Sequence, residues 1–282
     1  MIESIRKSEQ AVLLLDCGAV FDNHGDKAEL LLNVMELMGY DALNLGGPEF
    51  FFGKEFLERT RAHVSFPYIA SNLLYNGSRL PWTKEYIIKE AGGIKVAVLG
   101  VLNPSDLAQH PNQDRVKELQ VMPPEAALNK LLPAVREKAD LVVLLSSFGA
   151  EETRALAKAV SGVDVAIASG SDDLFFSQTS EKPILLHTSY LGKTVGLLKL
   201  TLDEKRTLTV NENRHIKLDG SVPENEQVTR LVEKFKKDKE KKDTEQIEKQ
   251  HKELIEGLQL SPEEFMERYQ REQSEKKRGD VR

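Results

Sequence analysis

Three carboxylates and one thiol are the groups in this 282-residue chain whose types and placement could do chemistry. Asp16 closes the apolar run AVLLLD, and Asp172 with Asp173 follows a second run, VDVAIASGSDD. If both runs are neighbouring strands of an open α/β sheet, the carboxylates converge at the carboxyl ends, where such sheets tend to bind ligands. Three hard oxygen donors suit one Mg²⁺ or Ca²⁺. The plainer reading is that they cap loops and helix starts. Cys17 is the only cysteine, which excludes an internal disulfide and a zinc knuckle. Its thiol is either a redox group or a small buried hydrophobe. Phe50, Phe51 and Phe52 form an aromatic run that could face a base or fill a core.

Short apolar runs alternating with amphipathic segments are the pattern that would hold these groups on an α/β scaffold. The pattern predicts strands at Ala11–Asp16, Ala42–Leu45, Tyr68–Ser71, Tyr86–Ile88, Ile94–Val101, Leu141–Ser146, Val163–Ala168, Ile184–His187, Val195–Leu202 and Leu208–His215. It predicts helices at Lys27–Met38, Lys54–His63, Pro124–Lys138 and Ala150–Val160. VAVLGV and VVLLS are apolar on both faces, as central strands must be, whereas the last two strands alternate and should pair antiparallel and half exposed. The fold class expected is α/β, a mixed sheet system covered by helices.

The charge divides near Gly220. Residues 221–282 carry 15 Lys/Arg and 16 Asp/Glu, and the preceding body is mildly acidic. The expected organisation is therefore a domain over 1–220 and a charged helical extension over 221–282. Within the extension, Pro223 to about Glu256 reads as one long helix with a polar middle, and Ser261-Pro262-Glu263-Glu264 has the form of a capping box opening a second helix. Such helices are either a solvated extension or a docking element for a protein partner or adjoining domain. The net charge of −6 argues against nucleic acid as a partner. The sequence holds no 18-residue apolar span, so no membrane span is expected, and no export signal is visible in the chain as given.

Seven blocks between Ala11 and His215 occur in an order that resembles the calcineurin-like metallophosphoesterases, in particular the phosphatase domain of the 5′-nucleotidase branch. LLLDCGAVFDN resembles a LLLDAGD-x-x-x-G block, and DALNLGGPEFFFG resembles DA-[ML]-x-x-GNHEFD-x-G. FPYIASNLL and GGIKVAVLGV resemble the two strands that follow. ADLVVLLSSFGAEE, VSGVDVAIASGSDDLF and ILLHTSYLGKTVGLLKLTLD resemble the blocks that carry the remaining His ligands and the closing strand pair. The resemblance implies a sandwich of two mixed β-sheets flanked by helices, with the charged helical tail added. The family's opening strand, ending in D-x-H, has no counterpart, so the domain is expected to lack it. Relatives of this kind are mostly exported. That implies an extracytoplasmic place if the start is incomplete, and otherwise the cytoplasm.

Carried over position by position, the resemblance implies a degenerate site. Ala19 stands where the metal-bridging Asp belongs, Gly47 where the metal-binding Asn belongs, and Pro48 and Phe51 where the acid-base His and Asp belong. Ser147, Gly170 and Asp172 replace the three later His. Two divalent ions about 4 Å apart repel by roughly 16 kcal/mol at an effective dielectric of 20, and these residues supply little to offset it. Pro48 also lacks an N–H and should bias Gly47 away from the α region. The expectations are therefore no catalytic residues and no cofactor, where the family would use two divalent metals. Residual metal candidates are Asp16, Asp172 and Asp173, and the redox candidate is Cys17. The function expected is a non-catalytic scaffold or binding module. The alternative is a metal-dependent phosphoester hydrolase rebuilt around Asp16 and Asp172.

Overall fold

The structure, a computed structural model, describes residues 1–169, 182–187, 192–258 and 261–279. The chain divides into two compact units, Met1–Glu224 and Asn225–Arg282. The first unit begins with α1 (Ile2–Ser8), β1 (Leu15–Asp16), α2 (Gly25–Met38), β2 (Ala42–Asn44) and α3 (Lys54–Arg61). It continues through β3 (Tyr68–Ile69), β4 (Leu73–Tyr75), β5 (Thr83–Lys84), β6 (Tyr86–Ala91), β7 (Ile94–Val101) and α4 (Pro104–Ala108). Then come β8 (Leu119–Val121), α5 (Pro124–Arg136), β9 (Leu141–Ser146), α6 (Ala150–Ala159), β10 (Val165–Ala168) and β11 (Ile184–His187). The hairpin of β12 (Thr194–Leu202) and β13 (Leu208–Lys217) ends the unit.

Two sheets form the body. The first has the order β1-β2-β3-β5 with all neighbours parallel, and the second has β11-β10-β9-β7-β6, parallel except for β6. The two faces of β9 show how the layers stack. Val143 and Leu145 meet Cys17, Ala42 and Ile69 between the sheets, while Val142 and Leu144 pack with Leu128, Leu132 and Ala157 of α5 and α6. The outer face of the first sheet is covered by Leu32 and Met35 of α2 and Phe56 and Leu57 of α3. A strand buried on both faces can only be an apolar run, and all six residues of β9 are buried. The expected α/β sandwich between helix layers is thus the fold observed, with only the second of its two sheets mixed, and β12 pairs with β13 antiparallel as the alternation implied.

Some elements differ from the sequence expectation for local reasons. The expected strand Ala11–Asp16 shortens to β1, because the Asp41 carboxylate takes the Leu14 N–H at 2.9 Å and the Asp41 N–H reaches the Leu14 carbonyl at 2.7 Å. A side chain stands in for a ladder partner there. The antiparallel pair β4–β8 and the short helix α4 carried too few residues to show periodicity. Asn103 starts α4 by accepting the Ser105 N–H at 3.0 Å, with Pro104 in the first turn.

The second unit consists of α7 (Glu226–Leu258) and α8 (Pro262–Gly279). Asn225 accepts the Gln227 and Val228 N–H groups at 3.0 and 3.2 Å, opening α7. At α8, Ser261 and Glu264 form the reciprocal capping box: the Ser261 N–H donates to Glu264 Oε2 at 2.7 Å and the Glu264 N–H to Ser261 Oγ at 3.3 Å. Phe265 is buried, its ring 5.9 Å from that of His251 on α7. Residues 241–250 of α7 are all exposed. No helix among the described residues is long and apolar enough to cross a membrane.

Candidate functional site

Parallel pairing decides which loops meet. Register matches Asp16 of β1 to Leu43 of β2, so the turn after Asp16 lies beside the loop Leu45–Gly47. In the second sheet β7, β9 and β10 bring Leu102, Ser147 and Ser169 side by side at their carboxyl ends. Asn44 joins the two sheets from within the core, donating through Nδ2 to the Cys17 carbonyl at 2.9 Å and the Val101 carbonyl at 3.1 Å.

Glu49 organises the first side of the site. It is fully buried, and its carboxylate accepts three backbone N–H groups: Ala19 at 3.0 Å and Gly46 at 2.7 Å on Oε2, and Val20 at 2.7 Å on Oε1. Burial pushes its pKa up while those N–H donors pull it back. Both oxygens are thereby spent on holding the two loops together. Asp16 accepts the Gly18 N–H on Oδ1 at 2.9 Å. It is partly exposed yet closely enclosed by protein. Burial raises its pKa to about 7, against the Gly18 hydrogen bond and with help from the nearby Glu49 charge. Gly18 itself has φ +91, and a Cβ there would lie 2.7 Å from the Asn44 carbonyl oxygen, so the turn after Asp16 requires glycine.

A residue with no signal in the sequence closes the other side. Asp106, on α4, accepts the Gly47 N–H and the Ser147 hydroxyl, the latter at 3.1 Å on Oδ2. Ser147 Oγ in turn accepts the Asn103 N–H at 2.9 Å. Burial raises the Asp106 pKa, the Ser147 and Gly47 hydrogen bonds oppose the rise, and Glu152 adds to it. Gly47 is tight against this carboxylate: a Cβ on it would sit 2.5 Å from the Asp106 Cβ. Asp106 was missed because α4 is a five-residue helix, too short to fix from sequence which way its side chains face.

The remaining sequence candidates fall as follows. Ala19 is exposed with φ 63, held by its N–H to Glu49. Pro48 opens a 3₁₀ turn over Pro48–Phe52, and Gly47 before it has φ −62 and ψ −44. The expectation that Pro48 drives Gly47 out of the α region is therefore corrected: without a Cβ, Gly47 escapes most of the clash with the proline ring. Phe50 is buried in the core, the Phe51 ring lies tilted against that of His110 with centroids 5.5 Å apart, and Phe52 packs 5.0 Å from Phe56. Phe51, Phe52, Pro48 and Ala19 line an open groove of about 740 Å³ together with His110 and Arg115. Arg115 donates to the Phe51 carbonyl. Cys17 is buried between the sheets, with Sγ 3.2 Å from the Ile167 carbonyl oxygen, and burial pushes its thiol far above the ordinary range. Gly170, Asp172 and Asp173 lie outside the described residues. Among the described residues no three His, Cys, Asp or Glu side chains gather as a metal-ligand set.

No protein-family model matches the chain. Among curated proteins it is 24% identical to 5′-nucleotidase of Bos taurus, covering 83% of this chain and 46% of that protein. It is 26% identical to 5′-nucleotidase of Diplobatis ommata, with 83% and 45% covered. It is also 32% identical to the uncharacterized metallophosphoesterase YunD of Bacillus subtilis, over 50% of this chain and 30% of that protein. The chain thus spans less than half the length of these relatives. Among solved structures, a 5′-nucleotidase precursor from Thermus thermophilus superposes with a TM-score of 0.71 at 21% identity, over 83% of this chain and 51% of the other. The calcineurin-like phosphoesterase YfkN from Bacillus subtilis superposes with a TM-score of 0.67 at 20% identity, over 84% and 87%. These relatives correct the expectation that no cofactor is called for. They are 5′-nucleotidases and a metallophosphoesterase, proteins of a family that uses divalent metals. Sequence relatives and structural neighbours thus agree: the relatives are 5′-nucleotidases and a metallophosphoesterase, and the fold is that of the calcineurin-like phosphoesterases.

Proposed function

We propose that the first unit is a 5′-nucleotidase-like phosphoesterase domain that has given up phosphoester hydrolysis and serves as a scaffold or binding module. The observation that carries this reading is the closure of the site by the protein's own groups. Ser147 and the Gly47 N–H are engaged by Asp106, and both oxygens of Glu49 are engaged by backbone N–H groups. Ala19, Gly47 and Phe51 bring no group able to coordinate an ion or move a proton. In this reading α7 and α8 are the docking element for a protein partner or adjoining domain. Purified protein supplied in turn with Mn²⁺, Zn²⁺ and Mg²⁺ and offered nucleoside monophosphates should show no turnover. Metal-dependent turnover lost in Asp16→Ala would overturn the reading.

Two observations favour a second reading. Asp16 is kept at the carboxyl end of β1 with a pKa of about 7, and 5′-nucleotidases align over 83% of the chain. A phosphoester hydrolase rebuilt around Asp16 and Asp172, taking a divalent metal, would use that carboxylate. The same assay separates the two readings.

A further inference from the structure

The charges of α7 divide between its two halves. From Glu226 to Lys242 it carries 7 basic and 4 acidic residues, and from Asp243 to Leu258 it carries 2 basic and 5 acidic, so the halves differ as +3 and −3. Taken by halves this order runs against the helix macrodipole, which favours acidic residues near the N-terminus and basic ones near the C-terminus, although Glu226 in the first turn accords with it. The last turn of α7 contains no basic residue. Of the i,i+4 pairs, Lys241–Glu245, Lys249–Glu253 and Lys252–Glu256 place Lys ahead of Glu at 3.8 to 3.9 Å, and Glu226–Arg230 at 3.3 Å has the opposite order. Lys ahead of Glu is the weaker of the two orders for a lone helix.

The same unit leaves apolar surface uncovered. Ile247 and Leu254 on α7 are 57% and 50% exposed, and Met266 and Tyr269 on α8 are 51% and 47% exposed. Taking α7 and α8 as a docking element, we propose that the partner is a second copy of this chain, with the two α7 helices side by side and antiparallel. The antiparallel arrangement sets each +3 half against the partner's −3 half. Pairing about Lys242, the midpoint of α7, puts Ile247 opposite Lys237 and Leu254 opposite Arg230 of the partner. The aliphatic stems of those long side chains can cover the apolar groups while their heads meet acidic residues. A parallel pair would set like halves together and lose this complementarity.

Sedimentation of the full chain over a range of concentrations should show a monomer–dimer equilibrium, with the dissociation constant at least tenfold larger in 500 mM than in 50 mM NaCl, as exposed charge pairs are screened. A variant with Glu245→Lys, Glu248→Lys and Glu253→Lys, and a second with Lys236→Glu, Lys237→Glu and Lys241→Glu, should each be monomeric. Mixed, they should form a heterodimer, a rescue that misfolded variants could not give. A full chain that stays monomeric at every concentration, or a dimer that survives in both variants, overturns the proposal. Deleting residues 225–282 separates the inference from the reading beneath it. If the chain is monomeric and deletion abolishes capture of a different protein, self-association fails and docking stands. If deletion changes no interaction, both fail.

Discussion

Replacing Asp16 by Asn should make the protein more stable at pH 8 and much less so at pH 5. Burial, together with the charge on Glu49, raises the Asp16 pKa from 3.8 to about 7, so the folded state holds this proton more tightly than the unfolded chain does. Between pH 3.8 and 7 the folded state binds more protons, and stability therefore falls as pH rises through that window. At about 1.4 kcal/mol per pKa unit the full displacement corresponds to ~4 kcal/mol. Integrating the linkage from pH 5 to pH 8 leaves a loss of roughly 2.5 kcal/mol attributable to this group. Asn keeps an oxygen for the Gly18 N–H and cannot ionise. Burial also raises Glu49 and Asp106, but those groups are present in both proteins and largely cancel in the comparison. Urea unfolding of the wild type and Asp16→Asn at pH 5 and pH 8 measures the effect. The stability difference between the two should shift by about 2.5 kcal/mol in favour of the variant on going to pH 8. An unchanged difference would refute the burial argument for Asp16.

Other substitutions probe the same site. Glu49→Ala strands the N–H groups of Ala19, Val20 and Gly46, and at 1–3 kcal/mol per buried unsatisfied donor it should cost roughly 3 kcal/mol or more in chemical denaturation. Gly47→Ala drives a methyl group into Asp106 and should cost about 1–3 kcal/mol, while the double variant with Asp106→Gly should recover most of the loss. Cys17 should resist iodoacetamide in the folded protein and react once unfolded in urea, followed by mass spectrometry, because the nucleophile is the thiolate and burial disfavours it. Rapid labelling under native conditions would contradict that placement.

The strands legible in the sequence are those the core demands. Ile94–Val101, Leu141–Ser146 and Ile184–His187 keep the bounds their apolar runs suggest, because burial on both faces leaves one period and one length to read. The α8 cap was legible for a different reason, since Ser261 and Glu264 carry both halves of the reciprocal hydrogen bond. What could not be read depended on contacts across the chain. Asp41 reaching back to Leu14 shortens the first strand, and nothing in AVLLLD announces it. Gly47 in the α region before Pro48 broke a steric rule that weakens when the preceding residue is glycine. At the site, motif positions located Ala19, Gly47 and Ser147. The carboxylate that now joins Gly47 to Ser147 comes from α4, outside every motif, and only the fold brings it there. Asn103-Pro104 signals the start of that helix but not that Asp106 faces inward.

Steady-state hydrolysis with added metal decides whether this phosphoesterase fold has lost phosphoester hydrolysis, as we propose. Purified full chain, supplied with Mn²⁺, Zn²⁺ or Mg²⁺ and a panel of nucleoside monophosphates and simpler phosphate esters, should release phosphate no faster than the metal-only blank. Release above that blank, dependent on the metal and abolished by Asp16→Ala, would contradict the account.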